Sequence, residues 1–506
     1  MDKSKINLTQ GQMPYSNPTP GELPIVGTGN LPDNTYYGKF ILNKFSECNL
    51  NIAQSEMWSG IPMAAEYVGN EMVSRPTLDF SSQASTPAEK RLCSNIQYSL
   101  ENVEATGLNL MVRVGKPVLA TLKDEQTLVA SDLETTETNS TTDWQEWNHL
   151  LSIVSSIFKN SAGLSSWMLA DEARAEDFKH LGEAKSIIER NSDRLQYVNL
   201  LPCWSKQSVP SGAWEMSLNE WFSYLKYLFE FYKEFAPSVW SYDLYAFREK
   251  PVNVSGQLPI EMEHEFFRNL WIFWKNSQLT GIPFWPYIRL MTHEEPANYA
   301  DSILSVEKLR YQAYMSLAFG AQGLVCWNMV ERPSGNADQR FLGAPIKADG
   351  SLTPAYYNLQ EILSSVRKYQ AIFLNGTVTD IAYTNAPAQL FRNELSCLPI
   401  METPIGPLVK IDRYFLGPIT QDQRDQRDIQ ISVPTVLVSR VENNGEEYII
   451  IVNLSWKSSN SFQLTFSRSV KNMMTNQTIG VGSNNYKFNY TLAPSDWVIF
   501  KTIATK

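Results

Sequence analysis

The sequence predicts a parallel (β/α)8 barrel followed by an all-β antiparallel sandwich. Three observations carry that prediction. Between Leu23 and Leu374, short apolar runs alternate with segments of helical spacing, eight times over. One of those runs, Trp167-Met168-Leu169-Ala170, stops abruptly at two carboxylates, Asp171 and Glu172, and a charged, helix-forming segment follows at once. That is how a buried parallel strand delivers acid groups at its C-terminal end before the chain turns into a helix. Past about Asn375 the helical spacing vanishes and short alternating runs replace it. Eight strands close a parallel barrel, and the C-terminal ends of those strands build its active site.

Composition sets the limits around this frame. At 506 residues, 43% hydrophobic and 19% charged, the chain is long enough for two or three domains with sizeable cores. A net charge of -10 and a pI near 5.2 argue against nucleic acid as a partner, because that needs clustered Lys and Arg. The aromatic share is 12%, with 14 Trp, 23 Tyr and 23 Phe, which suits stacking on flat apolar faces and equally suits a large core. Cys48, Cys93, Cys203, Cys326 and Cys397 show no CxxC and no spaced His, so neither zinc nor a disulfide framework is indicated. Cys203 and Cys326 lie in or beside apolar runs and read as buried thiols. No run reaches the ~20 apolar residues of a transmembrane helix, and MDKSKINLTQGQ lacks an apolar signal core. Residues 1–22 read as a polar tether that would fit an exported, periplasmic or cell-surface protein with a lipid anchor on its precursor.

Each barrel unit has its own signals. Leu23–Gly27 is the first strand, and Tyr36–Cys48 has apolar residues at helical spacing. Asn51–Trp58 is the second strand, ending near Glu56; the helix Pro87–Ala105 begins after Ser85-Thr86 with Glu89 placed for a capping box. Gly107 stops that helix, and LNLMVRV, Leu108–Val114, is the third strand. After a Thr-, Glu- and Ser-rich loop, Asp143–Phe158 is helical and leads to the Asp171-Glu172 strand. Helix Ala175–Arg190, strand Leu195–Leu201, helix Leu218–Phe235 and strand Val239–Phe247 follow, the last projecting Tyr242, Asp243 and Tyr245 near its end. Helix Met262–Ser277, strand Pro283–Leu290, helix Ser305–Phe319, strand Leu324–Val330 and helix Tyr356–Tyr369 complete the eight units. An open doubly wound nucleotide fold has little support, since no GxGxxG follows an early strand.

The boundaries expected are a tether at 1–22, a barrel at 23–374 and a sandwich at 375–506. In the last segment, Val378–Tyr383, Leu408–Tyr414, Thr435–Val441, Tyr448–Leu454, Phe462–Phe466, Tyr486–Leu492 and Trp497–Thr502 alternate as strands. Asn443-Asn444-Gly445-Glu446 is a hairpin turn, because Asn and Gly tolerate positive φ.

With both domains in hand, WMLADEARAEDFKHLGEAKSIIERNSDRLQYVNLL (Trp167–Leu201) resembles the fourth strand, helix and fifth strand of glycoside hydrolase-like (β/α)8 barrels, many from gut Bacteroidetes. SYDLYAF, LRYQAYMSLAFGAQGLVCW (Leu309–Trp327) and the ending EEYIIIVNLSW…APSDWVIF are similar to the same group, whose C-terminal module is a β-sandwich. The resemblance implies hydrolysis of a glycosidic bond in an oligo- or polysaccharide, with no cofactor, and puts Glu172 at the acid/base position. Asp171 beside it would help hold a proton there, since like charges raise one pKa; the two acids would otherwise simply favour a helix N-terminus. Glycosidases need a second carboxyl, yet the seventh strand PFWPYIRL carries none, and Glu294 and Glu295 come only in the loop after it. Asp243 is the first alternative, with Glu56 and Glu331 behind it. Trp58, Trp204, Trp285 and Trp327 are candidate sugar-stacking rings. Tyr242, Tyr245, Arg113, Asn199, Arg289, Asn328, His293 and Glu56 are candidate hydroxyl binders, and buried polar groups of this kind alternatively satisfy one another inside a barrel. The missing seventh-strand carboxylate favours a second class, a non-catalytic carbohydrate-binding protein on the same scaffold. A metal-dependent hydrolase is disfavoured by four His with no HxH or HExxH spacing.

Overall fold

The structure, a computed structural model, describes residues 19, 21–28, 39–55, 65–68, 71–74, 78–80, 82–115, 141–203, 218–249, 260–262, 265–292, 302–331, 342–384, 397–401, 403–413, 435–480 and 486–503. Most of the expected tether lies outside them.

The barrel runs β1 (Ile25–Gly27), α1 (Lys39–Glu47), β2 (Ile52–Ser55), a hairpin of β3 (Ala65–Val68) and β4 (Glu71–Ser74), α2 (Pro87–Glu104), β5 (Asn109–Arg113), α3 (Thr141–Ile157), β6 (Leu164–Ala173), α4 (Phe178–Asn191), β7 (Leu195–Leu200) and α5 (Leu218–Phe235). It continues with β8 (Trp240–Tyr242), a hairpin of β9 (Phe247–Glu249) and β10 (Ile260–Met262), α6 (Phe266–Thr280), β11 (Phe284–Arg289), α7 (Val306–Ala318), β12 (Leu324–Trp327) and α8 (Pro354–Leu374). The closed barrel has the order β1-β12-β11-β8-β7-β6-β5-β2, all pairs parallel, and among the described residues a helix follows each barrel strand. The expected (β/α)8 architecture is therefore what the chain adopts. α2 starts with the expected capping box, Thr86 accepting from the Glu89 backbone N–H while the Glu89 side chain accepts from Thr86.

Strand alternation sorts the barrel side chains into two sets. Val26, Ile52, Met111, Met168, Tyr197, Trp285, Tyr287 and Val325 fill the interior. Their neighbours Ile25, Ala53, Val112, Trp167, Leu169, Val198, Leu200, Ile288 and Cys326 face outward and pack with the helices in the large core. The helix layer is tight: a Cβ on Gly182 of α4 would stand 2.1 Å from the Glu234 carbonyl oxygen at the end of α5, so those helices meet at a bare backbone.

Two strand ends differ from the sequence expectation. The sixth barrel strand stops at Tyr242, and Phe247 belongs instead to an antiparallel hairpin with β10. The eighth strand stops at Trp327.

The sandwich follows as β13 (Thr377–Tyr383), β14 (Leu408–Arg413), β15 (Val436–Asn443), β16 (Glu446–Asn453), β17 (Asn460–Phe466), β18 (Val470–Asn472), β19 (Thr478–Ile479), β20 (Tyr486–Leu492) and β21 (Trp497–Thr502). One sheet has the order β13-β15-β16-β21-β18-β19 and the other β14-β17-β20. Asn444 (φ 51°) and Gly445 (φ 79°) form the expected two-residue hairpin turn between β15 and β16.

The larger sheet is buried on both faces. Ile449, Ile451, Val498 and Phe500 point into the sandwich core, while Ile450, Val452, Trp497 and Ile499 join the barrel's helix-layer core. Double burial explains why EEYIIIVN reads as a continuous apolar run instead of alternating. Trp497 lies flat on Tyr314 of α7, with ring centroids 4.0 Å apart and planes 3° apart, and on Phe373 of α8 at 5.6 Å and 4°. Trp274 of α6 donates its indole N–H to the Val378 carbonyl at 2.9 Å, so three helices of the barrel hold the sandwich. Among the described residues no helix is long and apolar enough to cross a membrane.

Candidate active site

The inward positions one step above the apolar interior are polar. On β5, Met111 points in, Val112 out and Arg113 in; on β7, Tyr197 points in, Val198 out and Asn199 in. Arg113 and Asn199 both reach Asp171 of β6. Arg113 Nη2 lies 3.2 Å from Asp171 Oδ2, and Asn199 Nδ2 donates to Asp171 Oδ1 at 2.9 Å. Asn199 Oδ1 is left buried with no hydrogen-bond partner among the described residues.

The backbone of β6 is irregular where its acids stand. Its pairing with β7 slips between Met168 and Ala170, and again between Ala170 (opposite Val198) and Ala173 (opposite Leu200). Asp171 and Glu172 occupy that second bulge, and bulges of this kind re-aim side chains next to active sites. Glu172 takes φ 51°, the left-handed region, which costs a residue with a Cβ about 1–2 kcal/mol. Its side chain is exposed at the barrel mouth, and Asp171 is half-buried.

Asp243 completes the cluster from the other side of β7. It directly follows β8, whose Tyr242 lies opposite Leu200 in the ladder, and it shares a side-chain hydrogen bond with Glu172. Burial raises the Asp243 pKa well above the ordinary carboxylate range, and the charges of Glu172 and then Asp171 raise it further. Asp243 Oδ1 has no hydrogen-bond partner among the described residues. Arg113 stands beside Asp171, and Asp243 is a carboxyl whose pKa is raised.

A hydrogen-bonded chain descends from the mouth. Tyr287 of β11 bonds Tyr197, Tyr197 bonds Ser241, and Ser241 Oγ donates to the Trp285 carbonyl at 2.8 Å. Burial raises the pKa of both tyrosines. Sequence reasoning missed Tyr287, although its place in PFWPYIRL, two residues before Arg289, puts it on the same inward face.

Of the remaining sequence candidates, two are corrected. Tyr242 is fully buried and stacks on Phe273 of α6 at 4.1 Å, because alternation along β8 turns it out of the barrel. Trp285 is also fully buried, near the start of β11 inside the barrel and against Gly323, whose close approach leaves no room for a Cβ. Neither is a surface for sugar. Arg289 is buried at the end of β11, donating to the Met291 carbonyl at 2.7 Å and the Phe247 carbonyl at 3.4 Å, with its guanidinium 5.8 Å from the Tyr245 ring centre. Tyr245 is half-buried with Asp243 and Arg289 as electrostatic neighbours. Trp327 is half-buried at the end of β12, its ring centre 6.4 Å from that of Tyr287. Asn328 is buried and its Oδ1 accepts from the Val330 N–H at 3.3 Å. Glu331 is buried and accepts the Gly343 N–H at 2.7 Å, a loop-fixing contact. Glu56, Trp58, Trp204, His293, Glu294 and Glu295 lie outside the described residues.

The architecture has known counterparts. A β-galactosidase from Bacillus circulans sp. alkalophilus superposes with TM-score 0.55 and 10% identity, covering 95% of this chain and 99% of that one. A family 42 β-galactosidase from G. stearothermophilus gives TM-score 0.54 and 8% identity over 96% and 99% of the two chains. A third structure, a glycoside hydrolase, gives 0.50 and 10% over 95% and 93%. No protein-family model matches the chain, and no curated protein does. At these identities the likeness is one of fold: this chain shares the barrel architecture of glycoside hydrolases over nearly its whole length.

Proposed function

We propose that the protein hydrolyses a glycosidic bond in an oligo- or polysaccharide, with Glu172 delivering the proton to the departing sugar oxygen. The observation that carries this reading is the cluster of three carboxyls at the barrel mouth, where Asp171 is held by Arg113 and Asn199 and the next residue, Glu172, meets Asp243. A general acid must hold its proton at working pH and reach the substrate. The raised pKa of Asp243 supports the first property, and the exposed Glu172 supports the second. Trp327, half-buried at the end of β12, offers a ring.

A second reading has its own observation. The inward positions near the end of β11 are Tyr287 and Arg289, with no carboxylate, which suits a protein that binds carbohydrate without cleaving it. The deciding experiment follows reducing-sugar release from a broad panel of plant and host oligosaccharides, by wild type and Glu172→Gln, with binding measured by calorimetry in parallel. Release by wild type that falls ~10²–10⁴-fold in the variant while binding survives supports the hydrolase. Binding by both proteins without release from any substrate establishes the binding protein instead.

A further inference from the structure

We infer that Tyr227 of α5 is a positioning residue for the carboxyls at the barrel mouth: its hydroxyl ties the end of β6 to the end of β7 and so holds Glu172 against Asp243. The inference concerns where Glu172 stands, and it applies whether the mouth cleaves sugar or only binds it.

The tie is made of two hydrogen bonds. The Tyr227 hydroxyl donates to the Ala173 carbonyl at 2.6 Å and accepts the Leu201 N–H at 3.2 Å. Ala173 directly follows Glu172, and Leu201 lies two residues past Asn199. One turn earlier on α5, Tyr224 donates to the Leu201 carbonyl at 3.3 Å. Residues three apart share a helix face, so α5 presents both hydroxyls together at the strand ends. Both side chains are buried, their ring centres 5.9 Å apart, and Phe178 packs 5.0 Å from the Tyr227 ring. Burial raises the Tyr227 pKa, so the hydroxyl stays neutral and keeps the proton it donates.

The backbone at this point needs such a tie. Ala170 lies opposite Val198 and Ala173 opposite Leu200, so β6 takes three steps where β7 takes two. Glu172 absorbs the extra residue with φ 51°. A side-chain-bearing residue keeps that conformation only where its surroundings over-determine it. Ala173 and Leu200 are the last pair of the β6–β7 ladder, and Tyr227 joins the two strands just beyond it. Without the hydroxyl, Glu172 is free to leave the left-handed region, and its carboxyl swings away from Asp243. Asp171 keeps its own bonds to Arg113 and Asn199.

Asp243 reports that movement. It is faced by Glu172 and Asp171 from β6, by Tyr197 from β7 and by Tyr224 and Tyr227 from α5, with Tyr245 two residues on and Arg289 beyond that ring. Burial raises the pKa of all four tyrosines and keeps them neutral, which leaves the β6 carboxylates as the negative charges that Asp243 meets.

The test is a carbon NMR titration of protein labelled at its aspartate carboxyls, with the Asp243 resonance assigned by its loss in Asp243→Asn. In wild type its midpoint should lie above the ordinary carboxylate value of about 4. In Tyr227→Phe the midpoint should move down, because the Glu172 charge and hydrogen bond are lost. Tyr224→Phe leaves the tie to Ala173 in place and should keep the wild-type midpoint. In a Glu172→Gln background, Tyr227→Phe should move it no further, since the carboxyl being positioned is gone. An unmoved midpoint in Tyr227→Phe, an equal shift in Tyr224→Phe, or a further shift in the Glu172→Gln background overturns the inference. Hydrogen exchange at the Leu201 amide of wild type needs no variant: slow exchange is expected, and exchange at the rate of an open amide overturns the tie. On any substrate the panel yields, Tyr227→Phe should lower kcat ~10²-fold with KM changed only a few-fold, because a misplacement of about 1 Å costs that much. An unchanged kcat there overturns the inference as well. Release from no substrate at all overturns the hydrolase reading and leaves the titration to decide this one.

Discussion

Arg113 Nη2 and Asp171 Oδ2 stand 3.2 Å apart at the mouth of the barrel, on neighbouring parallel strands. The contact separates the work of two adjacent acids. Asp171 has a compensating cation, and Glu172, one residue on, instead has Asp243, a second carboxyl. Removing the cation should therefore be felt beyond the site. Arg113→Met leaves a half-buried carboxylate without its partner and should lower stability by about 1–3 kcal/mol. Adding Asp171→Asn should recover part of that loss. Chemical denaturation of the two single variants and the double checks it, and strict additivity would show that the pair does not couple.

The Asp243 proton makes stability depend on pH. Its folded-state pKa lies above the unfolded value, so the native state holds a proton that the unfolded chain releases. Stability from this group is complete below about pH 4, the ordinary carboxylate pKa, and declines as pH rises towards the raised folded pKa. Asp243→Asn has no proton to lose. The difference in Tm between Asp243→Asn and wild type should grow in the variant's favour from pH 4 to pH 8. A constant difference across that range would contradict a raised pKa for Asp243.

Glu172 sits in a left-handed backbone conformation that glycine adopts without cost. Glu172→Gly and Glu172→Ala remove the same carboxyl, so both should abolish sugar release. They should differ in stability, with the glycine variant more stable than the alanine variant by about 1 kcal/mol. Paired thermal melts measure this, and equal stabilities would mean that the backbone relaxes once the side chain is gone.

The sandwich is part of the same folding unit as the barrel. Trp497 carries apolar surface of the larger sheet into the helix layer, stacked between Tyr314 and Phe373. Trp497→Ala should cost about 3–5 kcal/mol. Calorimetry of the wild type should show one transition, because the core runs without a break from α7 and α8 into β16 and β21. Two well-separated transitions would contradict that continuity.

The barrel was legible because a parallel strand buried on both faces reads as an apolar run, and a helix behind it reads at 3.6-residue spacing. Asp171 and Glu172 stood out because they break such a run. What the sequence hid was direction. Tyr242 and Asp243 are neighbours, and only the register of β8 decides that the tyrosine packs on Phe273 while the acid meets Glu172. The sixth strand was read past its end because Leu244, Tyr245, Ala246 and Phe247 continue the apolar character, although Phe247 starts a separate hairpin. The β3–β4 hairpin also escaped notice; its strands are four residues each, too short for alternation to show, though Gly69-Asn70 between them is a turn signal. The bulge that re-aims both acids leaves no mark in composition at all.

Proton delivery by Glu172 is measured by comparing wild type with Glu172→Gln on glycosides whose leaving groups span a wide pKa range. A general acid matters most when the leaving group is poor. Glu172→Gln should lose ~10²–10⁴-fold on alkyl-like leaving groups and only a few-fold on nitrophenolates, which depart without a proton. An equal loss on every leaving group, or none on any, would contradict Glu172 as the residue that delivers the proton.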